Sequence, residues 1–265
     1  MDIFTEENVQ ISVNALLEKN DSCGIDGIFV SKFREYWELN KDKILDSLRS
    51  GTYKPDAVQQ SDRLKKNGRK RKISRYTCTD RVVLDVLKRY LTPLWEPEFS
   101  QYSFAYQENK GVQTAVRQAA RFLEEGNTWV VELDVHDFFD SINLERLESM
   151  IRKKVGNDAL LRLIHQYLYI MVEEDYRKTR KTVGIVQGSP ISPLLSNVYM
   201  DGLDKYLEQK YKFCRFSDDL NLYCDSEEHA LAAAKEVTGY LKNRLGLICH
   251  TWKCISVPSD SHGNL

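Results

Sequence analysis

The sequence lacks the patterns that organise small secreted domains and zinc-bound domains. Its six cysteines form no C-x-x-C pair, and its five histidines do not join them at zinc-finger spacing, so neither a disulfide framework nor a zinc module is expected. No apolar run approaches the ~20 residues that cross a bilayer, and the acidic start MDIFTEENVQ has no apolar signal core. These absences predict a soluble, cytoplasmic protein with free thiols.

Internal repeats, low-complexity tracts and Pro/Gly-rich linkers are also absent. The 265 residues, 42% of them hydrophobic, therefore predict one continuous chain of packed subdomains with a substantial core. Apolar positions at three- and four-residue spacing predict helices in NVQISVNALLEKN and in FVSKFREYWELNKDKILDSLRSG, the second ending at Gly51. A third helix is predicted from a cap at Thr79 or Asp80 to a stop near Pro93.

The chain has no overall excess of positive charge, because its formal net charge is -1. Its charges are nevertheless segregated, and the run from Arg63 to Arg75 contains no acidic residue. Asn67-Gly68 at the centre of that run predicts the turn of a β-hairpin. A second basic segment, YRKTRK, covers Tyr176 to Lys181. The basic residues of the first run are Arg63, Lys65, Lys66, Arg69, Lys70, Arg71, Lys72 and Arg75.

Local positive charge of this kind can bind a polyanion even when the total charge of the protein is close to zero. A solvated turn or a localisation tract explains an isolated basic run equally well. Composition alone leaves both interpretations open, so the partner must be inferred from the rest of the chain.

One aspartate is predicted to lie near the end of an apolar strand. The segment WVVELDVHDFFDSI predicts a strand from Trp129 to Val135 that carries Asp134, followed by a helix from about Asn143 to Val155. A carboxylate on a buried strand is costly unless a cation or a basic partner compensates its charge. An aspartate that caps the next helix is the alternative, and this pattern alone does not decide between the two.

Two adjacent aspartates are predicted at the turn of a hairpin. The segment KFCRFSDDLNLYC predicts short strands from Lys212 to Phe216 and from Leu220 to Cys224, joined at Ser217-Asp218-Asp219. Adjacent carboxylates repel each other, which raises at least one pKa unless a divalent cation neutralises them. A surface Asp-Asp turn is common, but the apolar residues of both strands would bury the strands and direct this turn into a cleft.

Three ordered motifs give these aspartates a context. The first is D-V-H-D-F-F-D-S-I from Asp134, the second is Q-G-S-P-I-S-P-L-L-S-N from Gln187, and the third is R-F-S-D-D from Arg215. In this order they resemble motifs A, B and C of reverse transcriptases, in wording similar to the bacterial branch of group II intron maturases and retrons. T-D-R-V-V from Thr79 and S-F-A-Y from Ser103 resemble the fingers motifs of that branch.

The resemblance implies an α+β right-hand polymerase fold, with fingers and a palm whose antiparallel sheet is flanked by helices. Residues 1–58 would form an N-terminal helical extension, 59–128 the fingers and 129–265 the palm, with a fingers segment interleaved near 155–186. No thumb follows the palm in this sequence. We therefore expect either a truncated chain or a protein partner that supplies thumb function.

The resemblance also assigns the ion-binding residues and an acid. Asp134 and Asp218 would be the principal ligands of two Mg²⁺ ions, for which Mn²⁺ can substitute, with Asp219 assisting and the Val135 carbonyl as a backbone ligand. Two ions about 3.5–4 Å apart can activate a 3′-hydroxyl and stabilise a leaving pyrophosphate. Lys253 matches a lysine proposed as the general acid for pyrophosphate, although a solvated strand lysine explains this residue equally well.

Further residues match nucleotide-binding positions of the family. Phe139 matches the steric gate, where a bulky ring would clash with a ribonucleotide 2′-hydroxyl and favour dNTPs, whereas Phe138 is assigned to the core. Gln187 and Gly188 match residues that lie against the incoming nucleotide and the template base, where glycine permits close backbone approach. Arg71 matches the fingers arginine that binds the triphosphate with its forked guanidinium group.

The chain departs from the family pattern at two places. Phe216-Ser217 stands where the family usually has Tyr-Ala, and Arg75-Tyr76 stands where it usually has an apolar residue and proline. Arg75 would add positive charge near the triphosphate or the template. The basic residues expected to bind nucleic acid are Arg63, Lys65, Lys66, Arg69, Lys70 and Lys72.

The predicted activity is RNA-directed DNA polymerisation in a prokaryotic mobile-element or antiviral-defence system, including CRISPR adaptation. The expected partners are an RNA template, a DNA or RNA primer, dNTPs and a non-coding RNA. One alternative is a catalytically weak RNA-binding scaffold, although all three aspartates are present. Another is an untemplated or protein-primed polymerase. An RNA-dependent RNA polymerase would share the palm, but Phe139 at the gate favours dNTPs.

Overall fold

The computed structural model describes residues 3–64 and 70–257. Within these ranges no helix combines the length and the apolar composition needed to cross a membrane. The helices are α1 (Glu6–Leu17), α2 (Val30–Ser50), α3 (Cys78–Trp95), α4 (Val112–Glu124), α5 (Phe138–Ser141), α6 (Leu144–Arg152), α7 (Asp158–Leu168), α8 (Ser192–Glu208) and α9 (Glu227–Tyr240). The strands are β1 (Val58–Leu64), β2 (Lys70–Arg75), β3 (Trp129–Val135), β4 (Met171–Glu174), β5 (Arg177–Arg180), β6 (Lys212–Phe216), β7 (Asp219–Cys224) and β8 (Cys249–Ser256).

The chain divides into two compact units, each built from two segments. Unit 1 comprises Met1–Leu94 and Leu144–Pro193, and unit 2 comprises Trp95–Asn143 and Leu194–Leu265. Each unit holds one four-stranded sheet together with helices. The mixed helix-and-sheet class predicted from the sequence is therefore confirmed. The assignment of residues to fingers and palm stays a prediction.

Unit 1 contains the sheet with strand order β2-β1-β4-β5. Its β1 and β2 are antiparallel, as the basic hairpin predicts, and the proposed turn at Asn67-Gly68 lies outside the described residues. The β1–β4 pair is parallel, and β4 and β5 form a second hairpin. Its two turn residues, Asp175 and Tyr176, have φ values of 49° and 63°, the left-handed values that a tight hairpin turn requires.

The predicted helices of unit 1 are present, with one correction at the start of α3. Helix α2 ends at Gly51 as predicted, where a φ of 73° favours glycine. Helix α3 begins after Thr77, whose hydroxyl oxygen accepts a hydrogen bond from the Asp80 backbone N–H at 3.0 Å, so the cap is neither Thr79 nor Asp80. The helix ends at Trp95, close to the predicted stop near Pro93.

A buried carboxylate joins three parts of unit 1. Asp80 has no solvent exposure, and its Oδ1 accepts hydrogen bonds from the hydroxyls of Tyr53 at 2.8 Å and Tyr167 at 2.7 Å. Its Oδ2 accepts from the Thr77 hydroxyl at 2.8 Å and from the Asp56 backbone N–H at 3.2 Å. Burial raises the pKa of Asp80, and these four donors oppose that shift. Asp80 is therefore a structural junction between α3, α7 and the segment before β1.

Replacement of Asp80 by alanine is expected to lower the free energy of unfolding by about 2–3 kcal/mol, because it leaves two largely buried tyrosine hydroxyls without their acceptor. Asp85→Ala, on the same helix, is the matched control, because Asp85 is half-buried and accepts a hydrogen bond from the Ser12 hydroxyl at 2.7 Å. Urea denaturation followed by circular dichroism measures both. Equal losses in the two variants would contradict the junction role of Asp80.

Unit 2 contains the sheet with strand order β6-β7-β3-β8. Every neighbouring pair in it is antiparallel. Helix α9 packs against β3, β7 and β8, and helix α4 packs against β6 and β7. This arrangement confirms the predicted antiparallel sheet flanked by helices.

The sheet face on the α4 side changes character along the strands. Val130 and Tyr223 are cross-strand partners, and both are buried in a cluster with Phe122 of α4. Further along the same face, Glu132 is followed by Asp134, because residues two apart on a strand point to the same side. Helix α4 thus covers one end of this face and leaves its carboxylate end open.

Candidate active site

Asp134 lies at the open end of β3, where the strand pairing is irregular. The pairing of β3 with β8 shifts register between Asp134 and Val135. Such a bulge bends a strand and redirects the neighbouring side chains. Asp134 is exposed, whereas Val135 is buried with 2% exposure. The end of β3 therefore presents an exposed carboxylate beside a buried apolar residue, as the sequence predicts.

The Asp218 turn lies beside Asp134 across the sheet. The hairpin of β6 and β7 pairs Phe216 with Asp219 and leaves Ser217 and Asp218 as its two turn residues. In the neighbouring pair of strands, the Cα register places Asp134 opposite Asp219. Both strands of the predicted hairpin are present, and β7 begins at Asp219, one residue earlier than predicted. Two carboxylates thus share one cross-strand position, and the third adjoins them in the turn.

The charges of these aspartates are not independent. Partial burial raises the pKa of the Asp219 carboxyl group, and the negative charges of Asp218, Asp134 and Glu132 raise it further. The direction of this shift means that the ionised form of Asp219 is disfavoured by its surroundings. A cation bound among these carboxylates would remove that cost.

A cleft of about 540 Å³ opens in front of Asp134 and Asp219. Lys253 also lines it, from the β8 position opposite Glu132. The cleft therefore brings together two of the predicted catalytic carboxylates and the predicted acid. Its remaining lining residues are Val112, Ala115, Val116, Glu132, Leu133, Phe216 and Asn221.

The aspartates suit a hard divalent cation by the chemistry of their donors. Mg²⁺ and Mn²⁺ prefer carboxylate oxygen ligands, and the site offers Asp134 and Asp219 as cross-strand partners, with Asp218 in the adjoining turn. Within residues 3–64 and 70–257, no three His, Cys, Asp or Glu side chains converge closely enough to form a ready metal site. The position and chemistry of the donors fit a metal, and the ligand geometry is not preformed.

A family model described as "Reverse transcriptase (RNA-dependent DNA polymerase)" matches residues 63–261 of the chain. The chain belongs to the reverse transcriptase family. This range includes the three aspartates, the Gln187-Gly188 segment and Lys253. The match agrees with the family inferred from the ordered motifs, and the roles of individual residues remain predictions.

Relatives of this reverse transcriptase chain include a protein encoded by a group II intron. "Group II intron-encoded protein LtrA" of Lactococcus lactis subsp. cremoris is 31% identical over 205 residues, which cover 77% of this chain and 34% of the relative. "Protein YkfC" of Escherichia coli (strain K12) is 26% identical over 192 residues, which cover 71% of this chain and 50% of the relative. The chain therefore spans between a third and a half of these two proteins.

Solved structures share the fold. A chain of a "Partial Cas6-RT-Cas1--Cas2 complex" superposes with a TM-score of 0.53 at 22% identity, and the match covers 91% of this chain and 42% of that chain. At this level of identity the similarity establishes the fold of the reverse transcriptase chain and does not assign its residues.

The predicted gate residue lies directly after the Asp134 strand. Phe139 is half-buried on α5, with its ring centroid 5.5 Å from that of Phe138 in an edge-to-face arrangement. Phe138 is buried, as predicted for a core residue. Asp137 precedes α5 with a φ of 41°, and its carbonyl accepts hydrogen bonds from the Asp140 and Ser141 backbone N–H groups at 2.9 Å. The tight turn thus places a partly exposed ring five residues after Asp134.

The predicted Gln187-Gly188 segment belongs to unit 1, where it contacts strand β2. Gly188 has a φ of 94°, which only glycine adopts without strain. A Cβ atom added there would lie 3.3 Å from the Ser74 carbonyl oxygen. Close backbone approach therefore requires this glycine, and the neighbour that the structure shows is strand β2. Contact of Gly188 with a nucleotide stays a prediction.

Strands β1 and β2 carry the described part of the basic run. Arg63 and Arg75 are exposed, and Arg71 is the register partner of Arg63. Lys72 forms an ion pair with Glu174 at 2.7 Å, so its charge is partly compensated within the sheet. The proposed contacts of Lys65, Lys66 and Arg69 with nucleic acid fall on positions outside the described residues, and for Lys70 and Arg71 only the backbone is described.

The second basic segment is partly paired within unit 1. Lys178 forms an ion pair with Glu173 at 3.4 Å. The Arg180 guanidinium lies 5.6 Å from the ring centroid of Tyr169, and its Nε donates to the Tyr169 carbonyl at 3.3 Å. Acidic residues of the adjoining strand β4 therefore reduce the local positive charge that the basic sequence suggests.

Sequence reasoning missed the buried polar group behind the Asp218 turn. Arg215 and Asp204 are both fully buried, and the Arg215 Nε and Nη2 donate to the Asp204 carboxylate at 2.7 and 2.5 Å. Asn197 and Asp204 are seven residues apart on α8, which places both on one face of that helix. Two polar residues at helical spacing, in line with an arginine on the following strand, were the available signal.

Proposed function

We propose that this chain forms the catalytic fingers and palm of an RNA-directed DNA polymerase, which extends a primer 3′-hydroxyl with dNTPs on an RNA template. The observation that carries the proposal is the strand register that brings Asp134 opposite Asp219 beside the Asp218 turn. Membership of the reverse transcriptase family supports the same activity. We assign residues 59–128 to the fingers and 129–265 to the palm, with a fingers segment near 155–186.

The proposed mechanism depends on divalent cations held by the carboxylates. Asp134 and Asp218 would hold two Mg²⁺ ions, or Mn²⁺ in their place, with Asp219 and the Val135 carbonyl contributing. The chemistry supplied by the bound ions is activation of the primer 3′-hydroxyl and stabilisation of the leaving pyrophosphate. Lys253 lines the same cleft and would give its proton to the pyrophosphate. Positioning and charge neutralisation supply most of the rate enhancement.

Nucleotide binding is proposed for Arg71, Arg75, Val135, Phe139, Gln187 and Gly188. Arg71 and Arg75 would bind the triphosphate, and Gln187 and Gly188 would lie against the base pair being formed. Phe139 would exclude a 2′-hydroxyl. The exposure of Arg75 and the partial exposure of Phe139 leave both side chains accessible to a ligand.

The basic hairpin of β1 and β2 is proposed to contact the nucleic-acid backbone. Its described and exposed member Arg63 supports this role, whereas the Lys72–Glu174 ion pair weakens the case for Lys72. Phosphate contacts of this kind bind without sequence preference and weaken as salt concentration rises. The partners proposed are an RNA template, a DNA or RNA primer and a non-coding RNA, with protein partners of the kind named in the Cas6-RT-Cas1--Cas2 complexes.

The biological setting we propose is a prokaryotic mobile element or an antiviral-defence system. The name of LtrA as an intron-encoded protein supports the first setting. The Cas6-RT-Cas1--Cas2 complexes that share the fold support the second. The catalytic core serves both settings with the same chemistry.

A primer-extension assay tests the proposed activity. The purified chain is expected to extend a labelled DNA primer on an RNA template with dNTPs and Mg²⁺, to stop when EDTA removes the cation, and to resume when Mg²⁺ or Mn²⁺ is restored. Reactions with rNTPs and reactions without template are the matched controls. Extension that proceeds equally with rNTPs, without template or in EDTA would contradict the proposal. Inactivity under every condition would favour the RNA-binding scaffold.

A further inference from the structure

Two strained residues face each other beside the Asp218 turn. Ser217 and Tyr106 have φ values of 62° and 61°, in the left-handed region that residues with side chains seldom occupy. Their hydroxyl oxygens lie 3.2 Å apart, within hydrogen-bonding distance. Strain of this kind persists only where the surrounding structure fixes it, and it concentrates at functional sites.

Arg215 fixes the same turn from beneath the sheet. Its Nη1 donates to the Ser217 carbonyl oxygen at 2.9 Å and to Asn197 Oδ1 at 3.1 Å. Its Nη2 also donates to the Ser103 hydroxyl at 2.8 Å. With the two hydrogen bonds to Asp204, the guanidinium group has a partner for Nε and for both terminal nitrogens. Such a complete set of partners compensates the cost of burying the charge.

The loop that carries Tyr106 is attached to the same strand. The Arg215 backbone N–H donates to the Tyr102 carbonyl, and the Phe104 N–H donates to the Arg215 carbonyl, both at 2.9 Å. Asn197 Nδ2 donates to the Ala105 carbonyl at 2.9 Å. These three hydrogen bonds, all just before Tyr106 in the chain, attach its loop to β6 and to α8.

The Ser217 carbonyl influences the backbone direction of Asp218. Its oxygen and the Asp218 backbone nitrogen belong to one planar peptide unit, so fixing the oxygen fixes the direction in which the Asp218 backbone begins. The Ser217 hydroxyl restrains the same residue through its contact with the Tyr106 hydroxyl. Both contacts act on the turn itself, and the buried Arg215 cannot reach a nucleotide directly.

We propose that Arg215 and Tyr106 are positioning residues that hold the Ser217-Asp218 turn so that Asp218 is directed toward a divalent cation. This inference rests on the proposed function, because it concerns the same carboxylate. Arg215 acts through the Ser217 carbonyl, and Tyr106 acts through the Ser217 hydroxyl. The Ser217 hydroxyl thus takes part in this positioning. Alanine, which the family usually has at this position, could not form the contact with Tyr106.

Manganese binding to the purified full chain tests the proposal without a need for polymerase activity. Bound and free Mn²⁺ are separated by EPR titration. Tyr106→Phe and Ser217→Ala each remove one side of the hydroxyl contact and are expected to weaken Mn²⁺ binding about three- to tenfold. The double variant is expected to lose no more than either single variant, because all three lack the same hydrogen bond.

The matched control is Tyr102→Phe, which also removes a tyrosine hydroxyl from this loop. The Tyr102 ring packs against Phe122 and Phe213, with centroids 5.4 and 5.5 Å away. Phenylalanine keeps this ring packing, so Tyr102→Phe is expected to leave Mn²⁺ binding unchanged. Arg215→Lys is expected to weaken binding more than Tyr106→Phe, because a lysine cannot reproduce the planar fork. Thermal unfolding of each variant identifies any loss of the fold itself.

Asp218→Ala separates failure of this proposal from failure of the proposed function. If Asp218→Ala loses Mn²⁺ binding while Tyr106→Phe and Ser217→Ala bind like the wild-type chain, the positioning role is overturned and the metal site stands. If Asp218→Ala binds Mn²⁺ as tightly as the wild-type chain, the proposed metal site is overturned together with the role of Tyr106. In primer extension, Tyr106→Phe and Ser217→Ala are expected to need more Mg²⁺ for half-maximal activity, by the same three- to tenfold factor as in Mn²⁺ binding.

Discussion

Replacement of Asp218 by alanine is expected to reduce the rate of primer extension at least about 1000-fold, because it would remove a carboxylate that we propose to hold the cation and to offset its charge. The turn that carries Asp218 contributes little else that the substitution would disturb, since the packing of the hairpin comes from Phe213, Leu220 and Leu222, all nearly inaccessible to solvent. Single-turnover extension of a labelled primer with saturating dNTPs measures the chemical step.

Asp225→Ala is the matched control for this experiment. Asp225 follows β7 at the end of the hairpin opposite the turn, and it is exposed and paired with His229 at 3.0 Å. Its loss is expected to leave the rate within about twofold of the wild-type rate, because surface ion pairs contribute little. Extension by Asp218→Ala at the rate of Asp225→Ala would refute the assignment of Asp218 as a catalytic residue.

Replacement of Phe139 by alanine is expected to reduce discrimination against rNTPs on the order of 100-fold, because removal of the ring opens the space that a 2′-hydroxyl would occupy. Extension with dNTPs should change much less, since the 2′-deoxy sugar does not require that space. The ratio of kcat/KM for a matched dNTP and rNTP measures the effect.

Phe139→Tyr is the control that retains the ring, and it should keep the selectivity of the wild-type chain. Phe139→Leu should give an intermediate ratio, because the side chain is smaller than phenylalanine and larger than alanine. An unchanged ratio in Phe139→Ala would remove the gate assignment. It would also reopen the choice between DNA and RNA synthesis, since Phe139 is the residue on which that choice rests.

The strands that carry the three aspartates were predictable because their signals are local. In β3 the apolar residues around Asp134, and in the hairpin the apolar flanks of Asp218-Asp219, depend only on which residues adjoin one another. The order of the motifs then identified the family. The same local signals misplaced the cap of α3, because Thr77, Thr79 and Asp80 are all acceptable capping residues and only the backbone path selects Thr77.

The charge pattern was a weaker guide than the hydrophobic pattern. A run of lysine and arginine predicts a binding site for a polyanion only if folding brings no acidic residues next to it. Strand pairing places Glu174 beside Lys72 and Glu173 beside Lys178, although the first pair is far apart in sequence. The uncompensated positive charge on this sheet is therefore smaller than the number of its basic residues suggests.

The sequence by itself determined the family, the strands that carry Asp134, Asp218 and Asp219, and the presence of an aromatic ring after the first of these strands. Only the tertiary structure decided how the Asp218 turn is held, because Arg215, Asp204 and Tyr106 come from a strand, a helix and a loop that become neighbours on folding. Local periodicity records which side of an element is buried. It does not record which buried polar groups will meet there.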